Sequence, residues 1–380
     1  MKVIVIGPIK PFRGGISHSN TITCTTLSKK HKVKVISFKR LFPKLLFPGR
    51  FQKEKVPQPN INIEWIIDTL NPFSWVKAVK LIEKEKPDIV IFQWWTTFLA
   101  PCYYFIARKI KGKTKISAIT HHVLPQQETG RNFYVSFVIN KFLTKMFFRQ
   151  IDNFLVRSNA DKNKLLSLMP HAKVECLIEQ TFLEEFKPKK KVSKKQAREK
   201  IGLKEEKNLL FFGFIRSYKG LRYLLEAMPL ILKKHDVKLM IVGEFWENKN
   251  EYLKKIEKLG IKEKILIVDK YVSNEEAVLY FTAADAVVIP HTYISESGII
   301  QLAYALNTPI IATKVGGNPD FIENKKTGLL VEPKNPKKLA EAIDYFYSNN
   351  LEKKFKKAMK KKEKIFKWSK EKEKILLGAD

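Results

Sequence analysis

Arg216 and Lys219 stand three residues apart in the run Phe211-Phe212-Gly213-Phe214-Ile215-Arg216-Ser217-Tyr218-Lys219-Gly220-Leu221, where a strand-like pattern ends and an apolar helical pattern begins. Two cations fixed at the C-terminal end of a strand can clamp a diphosphate. Arg offers a bidentate fork and Lys a point charge, a pair suited to negative charge that builds on a departing phosphate. A second anion-binding element is Ser297-Gly298 at the mouth of a helical stretch, where unpaired amides and the positive end of the helix dipole face outward. A third is Gly14-Gly15, between the first strand pattern and the first helical one. Bare glycines there let backbone N–H groups approach a phosphate, and they serve equally in a tight turn that needs positive φ. The spacing fits neither a dinucleotide fingerprint nor a Gly-Lys-Ser/Thr loop, so neither NAD binding nor a P-loop NTPase is indicated. His121-His122 closes another strand pattern and suits an active site or a purely structural role.

These residues need a scaffold that collects strand ends. Short apolar runs at residues 3–6, 33–37, 63–66, 89–92, 115–119 and 153–156 read as strands, with amphipathic segments between several of them. A second series follows at 208–212, 238–242, 264–268, 286–289, 309–312 and 328–331. Strand and helix alternating in this way predict parallel sheets, built twice, whose ligands gather outside the carboxyl ends of the strands. A lysine-rich stretch from 187 to 207 reads as a linker plus a short helix and places the domain boundary near Lys187. Residues 89–107 carry no charge and approach the length of a membrane span. Gln93, Thr96, Thr97 and Pro101 interrupt them, which favours a buried strand followed by a helix. Residues 351–377 carry Leu351, Phe355, Met359 and Phe366 at near-helical spacing among lysines and predict one long amphipathic helix packing across both domains.

Composition bounds the partners. A chain of 380 residues that is 44% hydrophobic can bury two cores, which excludes a disordered or fibrous protein. With 71 Lys+Arg against 38 Asp+Glu the net charge is +33, attractive to nucleic acid, an anionic bilayer or a phosphate-rich ligand, and equally the mark of a compositional habit. Cys24, Cys102 and Cys176 have no paired spacing, so neither a disulfide framework nor a zinc site is expected. The apolar run after Met1 is too short for a signal peptide, and a cytoplasmic protein is expected.

Several further motifs keep company with Arg216 and Lys219: Ile241-Val242-Gly243-Glu244, Tyr271-Val272-Ser273-Asn274-Glu275, the stretch 309–313, Gly316-Gly317, and Phe366 with Trp368. Together with the Gly-x-x-Arg-x-x-Lys-Gly-Leu pattern at 213–221, they give a sequence that resembles the retaining glycosyltransferases of group 1 over nearly its whole length. The resemblance implies the α/β GT-B architecture, two Rossmann-like parallel-sheet domains facing a cleft with a C-terminal helix crossing back. The acceptor domain would be 1–187, rejoined by a helix at 362–380, and the nucleotide-sugar donor domain 188–361. It further implies that Arg216 and Lys219 hold the donor diphosphate, that Gly14 and Gly15 face the same phosphates, and that His121 positions the donor sugar. Gly213, Glu244 and Val272 fall in its donor-site motifs.

One departure stands out. The family's two glutamates, eight positions apart, fall on Ile294 and Leu302. Glu296 and Gln301 are the neighbours that remain, and the chain looks like a divergent branch in which Glu296, Ser297, Gly298 and Gln301 line the donor site. The reaction implied is sugar transfer with retention at the anomeric carbon, without a protein nucleophile, cofactor or metal.

Aromatic and basic residues interleave at 38–51 and again at 141–149. Such segments suit the interface of an anionic membrane, which points to a lipid-linked or glycan acceptor and a peripheral position on the inner face of the cell membrane. For 141–149 an ordinary core-facing helix fits equally; for 38–51 the prolines favour exposure. A soluble enzyme of the sucrose or glycogen synthase type would share the donor site without such a loop. A nucleic-acid binder would use the same aromatics for stacking, but no recognition module for nucleic acid is present.

Overall fold

The computed structural model describes residues 1–43, 51–54, 56–124, 133–177, 192–203, 207–295, 297–366 and 368–378. The chain divides into two compact units, Met1–Thr181 with Trp368–Asp380, and Phe182–Lys367. The expected boundary at 187 and the observed one both fall at 178–191, outside the described residues.

In the first unit, strands β1 (Lys2–Ile6), β2 (Lys32–Arg40), β3 (Asn62–Asp68), β4 (Ile89–Trp94), β5 (Lys115–Thr120), β6 (Asn153–Val156) and β7 (Lys173–Cys176) form one parallel sheet in the order β3-β2-β1-β4-β5-β6-β7. Every residue of β4 is buried, as expected of a central strand covered on both faces by helices. The span-like stretch is therefore β4, a 3₁₀ turn at Thr97–Leu99 and the helix Ala100–Ile110. Among the described residues no helix is long and apolar enough to cross a membrane. Strand β7 went unread in the sequence, because four residues with a single buried position, Val174, make too short a pattern.

The second unit repeats the plan with β8 (Lys207–Phe212), β9 (Val237–Val242), β10 (Ile265–Val268), β11 (Ala286–Ile289), β12 (Ile310–Thr313) and β13 (Gly328–Val331), in the parallel order β10-β9-β8-β11-β12-β13. In both sheets the strand order reverses direction beside the first strand, between β1 and β4 and between β8 and β11. Loops diverge at such a point and leave a crevice for ligands.

The expected single helix over 351–377 is instead two. The helix Glu352–Lys362 and the 3₁₀ turn Glu363–Phe366 belong to the second unit, and a separate helix, Lys370–Leu377, returns to the first. The apolar stripe serves two cores. Leu351 and Phe355 join the core of the second unit, and Phe366 stacks on Phe321 at 5.7 Å. Leu376 and Leu377 join a core of the first unit. Between them Ser369 caps the new helix by accepting from the Lys372 amide. The return thus begins at Trp368 rather than near 362. Its anchor is Glu373, which takes Lys30 at 2.9 Å, His31 at 3.1 Å and the Trp368 indole at 3.2 Å.

Candidate active site

In the second unit the site starts from the end of β8. Gly213 has φ 99°, and the amide of Gly213 donates to Val242 at the end of β9. A Cβ on the neighbouring Gly243 would lie 2.1 Å from the Gly213 carbonyl oxygen, so bare backbone is what lets these two strand ends touch. The chain then makes a 3₁₀ turn, Ser217–Lys219, closed by Gly220 at φ 71°. A Cβ there would lie 1.9 Å from the Pro290 carbonyl oxygen at the end of β11. The Tyr218 carbonyl accepts from the Thr292 amide at 2.7 Å, so the loops flanking the β8/β11 crevice are bound to each other.

This packing turns Lys219 back over Gly213, where a Cβ would come 2.5 Å from its Nζ and 3.5 Å from Ile299 Cδ1. The ammonium, the glycine and the first turn of the helix Gly298–Ala305 are thereby brought together. Arg216 lies over the Trp246 ring at 5.4 Å and the Tyr218 ring at 5.8 Å. Among the described residues neither cation has a carboxylate partner. Loss of water around Lys219 and the nearby charge of Arg216 lower its pKa to about 8. Two cations that raise each other's free energy in this way are relieved by an anion between them.

Ser297 holds the N-cap position of the helix Gly298–Ala305 in extended conformation, yet its hydroxyl makes no capping bond and, though buried, has no partner among the described residues. Gln301 is buried one turn further along. His291, which the sequence reading missed, is buried at the end of β11 with its Nδ1 unpartnered among the described residues. Burial and the charge of Lys219 hold its pKa well below the usual imidazole range, so it is neutral. A lone histidine just past a buried strand was the only signal available. Glu296 lies outside the described residues.

Glu244 and Val272 are buried at the ends of β9 and beyond β10. Glu244 accepts from the Trp246 indole at 3.2 Å, and its carbonyl accepts from the Ile215 amide at 2.9 Å. Above them Phe214 stacks on Trp246 at 4.3 Å and faces Tyr271 at 5.9 Å, a flat aromatic surface beside Arg216. Trp246 carried no pattern in the sequence.

In the first unit Gly14 has φ 107° and caps the helix Gly15–Ser28 without a side chain; a Cβ on Gly14 or Gly15 would meet nothing within 4 Å. Backbone conformation demands a glycine at 14, while at 15 it does not, and the open face there suits a ligand. His121 follows β5, donates its amide to the Trp94 carbonyl at 2.8 Å and meets Gln93 Oε1 through Nε2 at 2.7 Å. Burial, Arg157 and His122 hold its pKa well below the usual imidazole range.

The basic and aromatic segments divide. In 38–51 the expectation of exposure is corrected for Phe38 and Leu41, which are buried because β2 extends to Arg40 and carries them into the core. Phe42 is half-buried against Phe98, Phe51 is exposed, and Phe47 lies outside the described residues. In 141–149 Phe147 and Phe148 are core residues, whereas Val138, Ile139 and Phe142 of the helix Phe133–Phe148 are exposed beside Lys141. Among the described residues no group of His, Cys, Asp or Glu side chains converges as a metal-ligand set.

The fold is that of the GT-B glycosyltransferases. Sucrose-phosphate synthase from Thermosynechococcus elongatus superposes with a TM-score of 0.78 at 17% identity, covering 100% of this chain and 97% of the other. Anabaena HepE in complex with UDP-glucose gives 0.76 at 15% identity, covering 99% and 98%. Residues 193–364, a little under half of the chain, match the family model described as glycosyl transferases group 1. An uncharacterized glycosyltransferase of Methanocaldococcus jannaschii is 36% identical over 155 residues, 40% of this chain and 39% of its own length. Spore coat protein SA of Bacillus subtilis is 30% identical over 165 residues, 42% and 44%. The matched stretches thus span less than half the length of these curated relatives.

Proposed function

We propose that the protein is a glycosyltransferase that moves a sugar from a nucleoside diphosphate sugar to a hydroxyl of a lipid-linked or glycan acceptor, with retention at the anomeric carbon. The observation that carries this reading is the pair Arg216 and Lys219, held without a carboxylate partner among the described residues beside Gly213 and the open first turn of the helix Gly298–Ala305. As the bond from anomeric carbon to diphosphate oxygen lengthens, negative charge collects on the diphosphate. Fixed cations and amides already in place stabilise that charge without reorganising. The acceptor oxygen bonds to the anomeric carbon on the face the diphosphate leaves, and its proton passes to a diphosphate oxygen. No protein nucleophile is formed, and the two cations with the helix end supply the countercharge that a divalent ion supplies elsewhere. In the second unit Ser297, Gln301, Glu244 and Val272 would line the donor; the resemblance assigns Glu296 to the same donor, Gly14 and Gly15 to its phosphates and His121 to its sugar.

HepE has been captured with UDP and with UDP-glucose, which makes uridine donors the first to try. Thermal shifts with UDP, GDP and ADP identify the base, because a bound nucleotide stabilises by mass action. With that donor, Lys219→Ala lowers turnover by roughly 10²–10³, the scale of one preorganised group facing developing charge, while the unfolding midpoint without nucleotide does not fall and at neutral pH rises, because a desolvated charge is removed. A Lys219→Ala variant that transfers sugar at the normal rate overturns the reading. NMR of the first product formed reports the anomeric configuration.

A further inference from the structure

His121 belongs to a chain of buried amides whose far end fixes its chemistry. The Pro8 carbonyl oxygen can only accept, and it takes its hydrogen bond from Asn20 Nδ2 at 2.8 Å. The other arm of the Asn20 amide is then Oδ1, an acceptor, and it receives Gln93 Nε2 at 3.0 Å. The other arm of Gln93 is in turn Oε1, an acceptor, and it lies 2.7 Å from His121 Nε2. Each amide is oriented by the one before it, so the imidazole nitrogen facing Gln93 must carry the hydrogen. Asn20 and Gln93 are both fully buried, so water cannot reverse the order. Gly7 makes room for the chain: a Cβ there would lie 2.6 Å from Gln93 Cγ and 3.3 Å from Asn20 Nδ2.

Resting on the proposed function, we propose that Asn20 and Gln93 are positioning residues that lock His121 as the Nε2–H tautomer, so that it meets substrate with Nδ1 as a hydrogen-bond acceptor and recognises a sugar hydroxyl as donor. Arg157 and His122 are the charged or titratable groups acting on His121, and both disfavour a proton on the ring. The imidazole therefore stays neutral and its Nδ1 lone pair stays available. An acceptor nitrogen in a buried wall discriminates against a sugar that lacks the matching hydroxyl, since the unpaired lone pair would remain desolvated. Pro8 lies in the loop after β1, Asn20 in the helix Gly15–Ser28 that follows it, Gln93 in β4 and His121 just after β5, so one helix and the ends of three adjacent strands set the direction of a single hydrogen bond.

The test reads the tautomer directly. Two-bond proton–nitrogen NMR on the full chain labelled with ¹⁵N-histidine, with the His121 signals assigned by their loss in His121→Asn, is expected to show Nε2 protonated and Nδ1 bare across neutral pH. Gln93→Met removes the acceptor, and Asn20→Ala releases the orientation of Gln93. Each is expected to populate the Nδ1–H form and to lower kcat by about tenfold, the worth of one hydrogen bond to a substrate group, with the thermal shift given by UDP unchanged. A wild-type protein carrying Nδ1–H or imidazolium overturns the proposal whatever its activity. So does a variant in which the tautomer redistributes and kcat does not move. A wild-type protein with Nε2–H that transfers no sugar from any nucleotide donor overturns the proposed function and its hydroxyl recognition, while the tautomer lock itself stands.

Discussion

The ammonium of Lys219 is the group whose charge this site controls most closely. Desolvation and Arg216 bring its pKa down to about 8 from an ordinary 10.5. In the free protein the amine is charged below pH 8 and neutral above it, so kcat/KM for the donor is expected to fall as pH rises through about 8. Lys219→Arg, which stays charged, should remove that limb from the pH profile. Stability responds with the opposite sign. Between pH 8 and 10.5 the unfolded chain binds a proton that the folded one has released, so the contribution of Lys219 to stability rises over that window and is unfavourable below it. Arg216 and Lys219 were legible in the sequence because both sit on one short turn between two strong patterns. His291 and Gln93 were not, because each owes its role to a neighbour far away in the chain: Lys219 lies 72 positions from His291, and Asn20 lies 73 positions from Gln93.

At the scale of elements, the turn at 217–220 is held by its fit against the end of β11, and Gly220 is where that fit is tightest. Gly220→Ala forces a side chain into positive φ and against the Pro290 carbonyl oxygen. A loss of roughly 2 kcal/mol or more in urea unfolding is expected, together with a fall in turnover as Lys219 is displaced from Gly213. Wild-type stability and rate in this variant would mean the loop does not aim the lysine. The strands were legible because buried parallel strands are continuous runs of Val, Ile, Leu and Phe, and twelve of the thirteen among the described residues follow such runs in the sequence. The break after Phe366 was not, because an apolar repeat of helical period records that residues are buried and never in which core.

For the molecule as a whole, the composition announced a net charge of +33 but not where it would act. Phe38 and Leu41 are buried, whereas Val138, Ile139 and Phe142 of the helix Phe133–Phe148 are exposed, so the proposed membrane contact is tested on that helix. Flotation with anionic vesicles is expected to carry the protein at low salt, to weaken as salt screens the lysines, and to fail for Ile139→Ser with Phe142→Ser. Unchanged flotation of the double variant would leave charge alone as the attachment, and no flotation of the wild type would favour a water-soluble acceptor. Finally, residues 368–378 have a consequence for the birth of the protein. Leu376 and Leu377 complete a hydrophobic core whose strands are translated first. A ribosome therefore finishes the whole intervening unit before it adds these two leucines, so that unit is free to fold while the earlier core still lacks them.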